Sequence, residues 1–288
     1  MDSEINKHSD KALLYRNIAE SMSSIKHKFL VISSQGGVGK TSVVVSLALA
    51  LSKMKAKVGL IDANFHSPDI HRKLSLDLPV VSYSDKRIIP VAHSDRLKVA
   101  SIASSMQDKN ETGVWTKLLN LSDIRRFISR VNWGCLDYLF VDTPPGPTEE
   151  FLTLARAIPE AKTILVTAPN RIDGNRAKEM INFFKKENIL ISGWIENMRG
   201  FLCQSCGHMQ ELFSTGSGSR AIFLMNIPFL GRIPIDPLLI ECVNVDVPFM
   251  EKYPDSQAAE AYNQIAEKVM EGSKILLPED KSETPNQI

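Results

Sequence analysis

Residues 28–41 read KFLVISSQGGVGKT. The apolar run Phe29 to Ile32 feeds a glycine-rich turn, Gly36-Gly37-Val38-Gly39. Lys40, Thr41 and Ser42 follow, and an apolar helical pattern runs from Val43 to Leu51. Strand, loop and helix in that order are what a phosphate-binding loop requires. Glycines let backbone N–H groups close on phosphate oxygens. The helix behind them points its positive N-terminus at the same anion. Lys40 is spaced to reach the terminal phosphates, and the Thr41 hydroxyl to bind Mg²⁺. The stretch predicts a nucleoside triphosphate site formed by Gly36, Gly37, Val38, Gly39, Lys40, Thr41 and Ser42. It departs from the full pattern at Ser34, which stands where a glycine is expected six residues before the lysine.

Outward from this loop, apolar β-rich runs alternate with helical patterns. The expected strands are Phe29–Ser33, Val58–Asp62, Lys98–Ile102, Tyr138–Asp142, Thr163–Thr167, Ile189–Trp194 and Phe229–Arg232. Most are continuously apolar, as strands buried on both faces of a parallel sheet must be. Helical patterns occupy 41–54, 119–131, 149–157, 173–187 and 256–271, and 83–93 read as a short hairpin. The alternation predicts a doubly wound, mostly parallel α/β fold with ligands at the carboxyl ends of its strands. Residues 1–25 read as a polar, mildly helical, loosely attached lead-in, 26–274 as one nucleotide-binding domain, and 275–288 as a tail. The tail's PEDKSETPNQI is polar and Pro-containing, hence expected to be disordered.

Composition narrows the function. The chain has 288 residues, 43% of them apolar, enough for one large domain. A net charge of +1 without a basic run gives no case for nucleic acid. No stretch has the length and apolar purity of a membrane span. Asp2, Glu4 and Asp10 with no apolar core argue against a secretory signal. Four cysteines, Cys135, Cys203, Cys206 and Cys242, are too few and too irregular for a disulfide framework. A reducing, cytoplasmic setting is expected, with thiols free to bind metal.

Two expected strands end in aspartate, Val58–Asp62 and Tyr138–Asp142. An apolar strand ending in Asp beside a phosphate loop supplies the carboxylate that orients a Mg²⁺ shell. Taken singly, such an Asp is commonly a helix cap or turn former. The stiff Thr143-Pro144-Pro145-Gly146 turn would fix backbone N–H groups near the terminal phosphate.

The second informative stretch is Cys203-Gln-Ser-Cys206-Gly-His208. Cys-x-x-Cys brings two thiolates within reach of one metal, half of a tetrahedral shell. There is no second such pair, so a full set would come from two subunits, or from Cys203, Cys206 and His208 plus another ligand. Spacing leaves an iron–sulfur cluster and structural zinc both open. A redox dithiol fits less well, because the pair lies in a polar loop and not at a helix start.

Over about Ile25 to Gly272 the chain resembles the Mrp/ApbC family of iron–sulfur cluster carriers. These belong to the deviant Walker A class, with MinD, ParA and the nitrogenase iron protein. The ordered motifs are IKHKFLVISSQGGVGKT, LIDANFHSPDI, VNWGCLDYLFVDTPPG, WIENMRGFLCQSC and FLGRIPIDP. The resemblance implies a homodimer that binds ATP and Mg²⁺ at the loops. It implies that Cys203 and Cys206 of each subunit jointly hold a labile [4Fe–4S] cluster for transfer to apo-proteins. Asn197 and the segment Pro234 to Asp236 would contact the adenine, and Asp62 and Asp142 would serve Mg²⁺ and water beside Lys40.

Several positions depart from that family's pattern. Where the family has Gly-Lys before the glycine pair, this chain has Ser34-Gln35. That lysine is thought to reach across the dimer to the partner's phosphates, and Gln35 can only hydrogen-bond. The second switch aspartate is Asn64, the switch glycine is Ser67, and the family's Thr-Gly-Asp after Gly146 is Pro147-Thr148-Glu149. Nucleotide binding is therefore expected to persist while hydrolysis is slow or absent. Two other classes compete with the carrier. One is a non-hydrolysing adaptor that pairs with an intact paralogue. The other is a MinD- or ParA-like positioning ATPase, which would lack a use for the cysteines. Elsewhere, His66 reads as a solvated loop residue, Cys135 and Cys242 as packed small hydrophobes, Arg125-Arg126 as a solvated face, and Trp115, Trp133 and Trp194 as core or interface aromatics.

Overall fold

The fold follows from period-two burial on both faces of the strands. In the computed structural model, which describes residues 2–64, 67–77, 81–84, 87–103, 121–169, 173–203, 206, 208–210 and 217–275, Phe29 and Val31 join one core cluster while Leu30 and Ile32 join another. A strand with solvent on neither face must be apolar at every position, which is why these runs do not alternate.

In chain order, α1 (Asp2–Ser23) leads into β1 (Ile25–Ser33), α2 (Lys40–Lys53), β2 (Val58–Asp62) and a single turn, α3 (Ile70–Lys73). Short strands follow: β3 (Ser82–Ser84), β4 (Arg87–Ile89), β5 (Val91–Ser94) and β6 (Leu97–Ser101). Then come α4 (Leu121–Arg130), β7 (Leu136–Asp142), α5 (Glu149–Ala157), β8 (Lys162–Thr167), α6 (Gly174–Lys186) and β9 (Ile191–Glu196). A small hairpin, β10 (Phe201–Leu202) with β11 (Met209–Gln210), precedes α7 (Ser217–Leu224) and β12 (Phe229–Arg232). The described chain closes with α8 (Pro237–Asn244), α9 (Phe249–Lys252) and α10 (Gln257–Ile275).

Among the described residues, eight strands form one sheet in the order β12-β9-β8-β1-β7-β2-β6-β5. All neighbours are parallel except β5 with β6. α2 and α10 pack together against one face, with Tyr262 and Phe249 in that core. α1 packs on α4, and α6 on α7, against the other, where Trp133, Phe151 and Phe184 fill the interior. The expected doubly wound α/β fold is present.

The expected elements differ from the observed ones mostly at their ends. β1 starts at Ile25 rather than Phe29, because its first residues pair with β7 from Leu136 onward. β9 runs Ile191–Glu196 rather than Ile189–Trp194, ending in a buried glutamate that apolarity alone would have excluded. The hairpin expected over 83–93 closes sooner. β3 and β4 form it, while β5 leaves to pair with β6 in the main sheet. The lead-in is a helix, and its last two turns are held firmly. Ile18 and Met22 are buried, Ser21 Oγ donates to Val131 O at 2.8 Å, and Ser24 Oγ donates to Gly134 O at 2.7 Å. Trp133 and Trp194 are core aromatics, and Cys242 is packed as expected. Cys135 is exposed, a correction: it follows the left-handed Gly134 (φ +66°), which turns the chain outward before β7 begins. His66, Trp115, residues 119 and 120, and the tail from Pro278 lie outside the described residues.

Candidate functional site

Parallel strands deliver their carboxyl ends to one edge, so β1, β2 and β7 bring the loop and both aspartates together. The loop leaves β1 at Ser33 and enters α2 at Gly39, its N-cap residue. Gly37 (φ +77°) and Gly39 (φ +78°) take left-handed backbone angles that a side chain would strain. The Pro144-Pro145-Gly146 turn is held beside the loop, with Gly146 N donating to Ser33 O at 2.7 Å and Thr143 Oγ1 donating to Val31 O at 2.8 Å.

Asp142, fully buried at the end of β7, gathers the loop's two functional side chains. Its Oδ1 accepts from Lys40 Nζ, and its Oδ2 from Thr41 Oγ1 at 2.7 Å. The hydroxyl and the carboxylate that would share a Mg²⁺ are thus already neighbours, and this donor set of hard oxygens suits that ion. When bound, Mg²⁺ would neutralise phosphate charge there.

Asp62 lies opposite Asp142 across the β2–β7 register. It receives backbone N–H groups from Asn64 at 3.2 Å, Asp69 at 3.0 Å and Ile70 at 3.1 Å. It therefore ties Asn64 and the start of α3 to the end of β2, as a cap does. Burial, and then the charge of Asp142, push its carboxyl up to about 7.

Asn197 follows β9 and is buried against the loop. Its N–H donates to Thr167 O at 2.8 Å, and its Nδ2 donates to Val38 O at 2.8 Å. A Cβ on Gly39 would come within 2.4 Å of that Nδ2, so the close approach needs the glycine. Pro234 and Asp236 lie next to this position. Ile233 N donates to Glu196 O at 2.9 Å, and Asp236 Oδ1 caps α8 by accepting from Leu238 N at 3.0 Å.

The cysteine pair sits in the β10–β11 hairpin, which pairs Phe201 with Gln210 and Leu202 with Met209. Cys203 N donates to His208 O at 3.1 Å, closing the turn. Cys203 is partly exposed, Cys206 exposed, and neither is in a disulfide. Among the described residues no group of three or more His, Cys, Asp or Glu side chains converges on a metal position. The set of Cys203, Cys206 and His208 with a further ligand is therefore not assembled within the described chain.

Glu196 and Arg199, both buried, escaped the sequence reading. The only available signal was a charged residue closing the otherwise apolar β9 run.

This fold and loop define a P-loop NTPase of the MinD/ParA class. The structure is similar to MinD from Aquifex aeolicus at 20% identity and a TM-score of 0.62, covering 85% of this chain and 97% of that one. It is also similar to a nucleotide-binding protein from Archaeoglobus fulgidus in complex with ADP. That match is 31% identical with a TM-score of 0.71, over 84% of this chain and 94% of that one. A family model described as NUBPL iron-transfer P-loop NTPase matches residues 24–270, and the chain belongs to that family. Among its relatives, an iron-sulfur cluster carrier protein of Methanocaldococcus jannaschii is 38% identical over 88% of this chain and 87% of its own. The cytosolic Fe-S cluster assembly factor CFD1 of Kluyveromyces lactis is 37% identical over 88% of this chain and 93% of its own.

Proposed function

We propose that this protein is an ATP-binding iron–sulfur cluster carrier. Two copies would hold a labile [4Fe–4S] cluster between their Cys203 and Cys206 thiolates and pass it to apo-proteins. The observation that carries this reading is the pairing, within one domain, of a phosphate loop gathered on Asp142 and an exposed, half-complete thiolate site. Two thiolates per chain leave a four-ligand cluster unfinished, and a second copy would supply the rest. The relatives' names point the same way, and one of them places that relative in the cytosol.

At the nucleotide, Lys40 would leave Asp142 for the terminal phosphates. Thr41 and Asp142 would hold Mg²⁺, and the glycine-loop amides would bind the bridging oxygens. Gly36, Gly37, Val38 and Ser42 complete that cradle, and Asn197, Pro234 and Asp236 border the base. Gln35 and Asn64 stand where the family resemblance implies a lysine and an aspartate, so turnover of ATP would be slow. Those same two residues favour a second reading, a non-hydrolysing adaptor that pairs with an intact paralogue and supplies a cluster half-site or a docking face.

The deciding experiment is anaerobic reconstitution with iron and sulfide on the native chain and on Cys203→Ser. A dimer bearing a cluster, absent from the variant, supports the carrier. A native chain that stays cluster-free, or holds zinc tightly instead, overturns it.

A further inference from the structure

Asn197 and Cys203 lie six positions apart on one stretch of chain. Its front end is fixed to the phosphate loop by Asn197 Nδ2 on Val38 O, at 2.8 Å. Backbone bonds then strap it to the segment after β12: Arg199 N donates to Ile233 O at 3.0 Å, and Ile235 N donates to Gly200 O at 2.9 Å. The cysteine hairpin folds back onto Gly200 (φ +76°), where a Cβ would meet Met209 Sδ at 2.9 Å.

The far end is anchored at the same place. α7 begins at Ser217, just beyond the cysteine hairpin, and in its first turn Ser219 Oγ donates to Glu196 Oε1 at 2.7 Å. The other carboxylate oxygen, Oε2, accepts from Arg232 Nε at 3.2 Å. Glu196 is 1% exposed. An apolar side chain would fill this strand end at lower cost than a buried charge. What the carboxylate adds is direction. It hooks the helix that follows the cysteines onto the residue adjacent to Asn197.

We propose that Glu196 is a positioning residue that couples nucleotide occupancy to the cysteine pair. When the loop takes up phosphate and Asn197 adjusts with it, the Glu196–Ser219 bond carries the shift into α7 and alters the setting of Cys203 and Cys206. This rests on the reading that the P-loop binds nucleotide. By linkage the effect runs both ways, so occupancy of the thiols changes nucleotide affinity by the same factor.

The test is iodoacetamide alkylation of the full chain, reduced and metal-free, with and without Mg·ADP, resolved by peptide mass spectrometry. Calorimetry reads nucleotide binding separately. Cys135, exposed at the opposite end of β7 from Asp142, is the internal control. Mg·ADP should change the alkylation rate of Cys203 or Cys206 by about fivefold or more, an ordinary size for such coupling, and leave Cys135 unchanged. Ser219→Ala should still bind Mg·ADP but lose the cysteine response. Glu196→Gln, which keeps an acceptor for Ser219, should retain it, and Glu196→Ala should lose it. Should Glu196→Ala fail to fold, Ser219→Ala alone decides. Bound nucleotide with unresponsive native cysteines, or a Ser219→Ala protein that responds like the native one, overturns the coupling. A native chain that binds no Mg·ADP overturns the nucleotide reading and the coupling together.

Discussion

Asp62 and Asp142 lie opposite each other across the register of two neighbouring parallel strands, and among the described residues only Asp142 is paired with a cation. Asp142 takes Lys40 and Thr41, whereas the partners of Asp62 are backbone amides. Two neighbouring buried carboxylates repel, and burial together with the charge of Asp142 makes Asp62 harder to ionise.

The carboxyl of Asp62 is raised from 3.8 to about 7, by burial first and by Asp142 second. A group whose folded value is raised stabilises the protein most at low pH. That contribution declines as pH climbs from the unfolded value through the folded one. A Mg²⁺–nucleotide complex beside the pair favours the ionised form. Binding at about pH 6 should therefore release close to one proton, and at about pH 8.5 almost none. Calorimetry in buffers of different ionisation enthalpy reads this directly. Equal release at both pH values would exclude Asp62 as the titrating group.

Lys40→Met removes the cation from a buried carboxylate. Leaving a buried charge unpaired costs about 3 kcal/mol or more, so urea unfolding of the nucleotide-free variant should show a loss of that size. Nucleotide binding should vanish as well. A variant as stable as the native chain would mean that the Lys40–Asp142 pair contributes nothing to the empty state.

Gly39→Ala should separate the loop from its clamp. A left-handed φ of +78° disfavours any side chain, and the added methyl would press on Asn197 Nδ2. The backbone penalty alone is about 1 kcal/mol. Loss of the Asn197–Val38 bond should follow, with nucleotide affinity reduced about tenfold or more, or 1.4 kcal/mol per decade. Circular dichroism should stay native-like while binding weakens.

Gln35→Lys addresses hydrolysis. A single well-placed cation on the transferring phosphoryl group is worth about 10³-fold or more in rate. If the neutral Gln35 is what slows turnover, the variant's steady-state phosphate release should rise toward that range. An unchanged rate would shift attention to Asn64 and the switch-like loop.

Much of the site was legible because its chemistry is local. The glycine spacing, Lys40 and Thr41 lie within a few residues of one another, and a strand ending in Asp is visible in any apolar run. The Cys-x-x-Cys pair is equally local. Cys135 reads as packed from its position just before a buried strand, whereas the left-handed turn at Gly134 leaves it exposed. Glu196 was invisible because its partners, Ser219 and Arg232, are 23 and 36 positions away.

The sequence by itself determined the class of fold and the glycine-rich loop, and singled out candidate residues for nucleotide and metal, since periodicity and short motifs depend on neighbours along the chain. Only the tertiary structure decided which of two similar aspartates holds the lysine, that Asn197 closes on the loop, and that the buried Glu196 bonds Ser219 of α7 and Arg232 of β12. Those depend on strand order and register, which bring distant positions within hydrogen-bond reach.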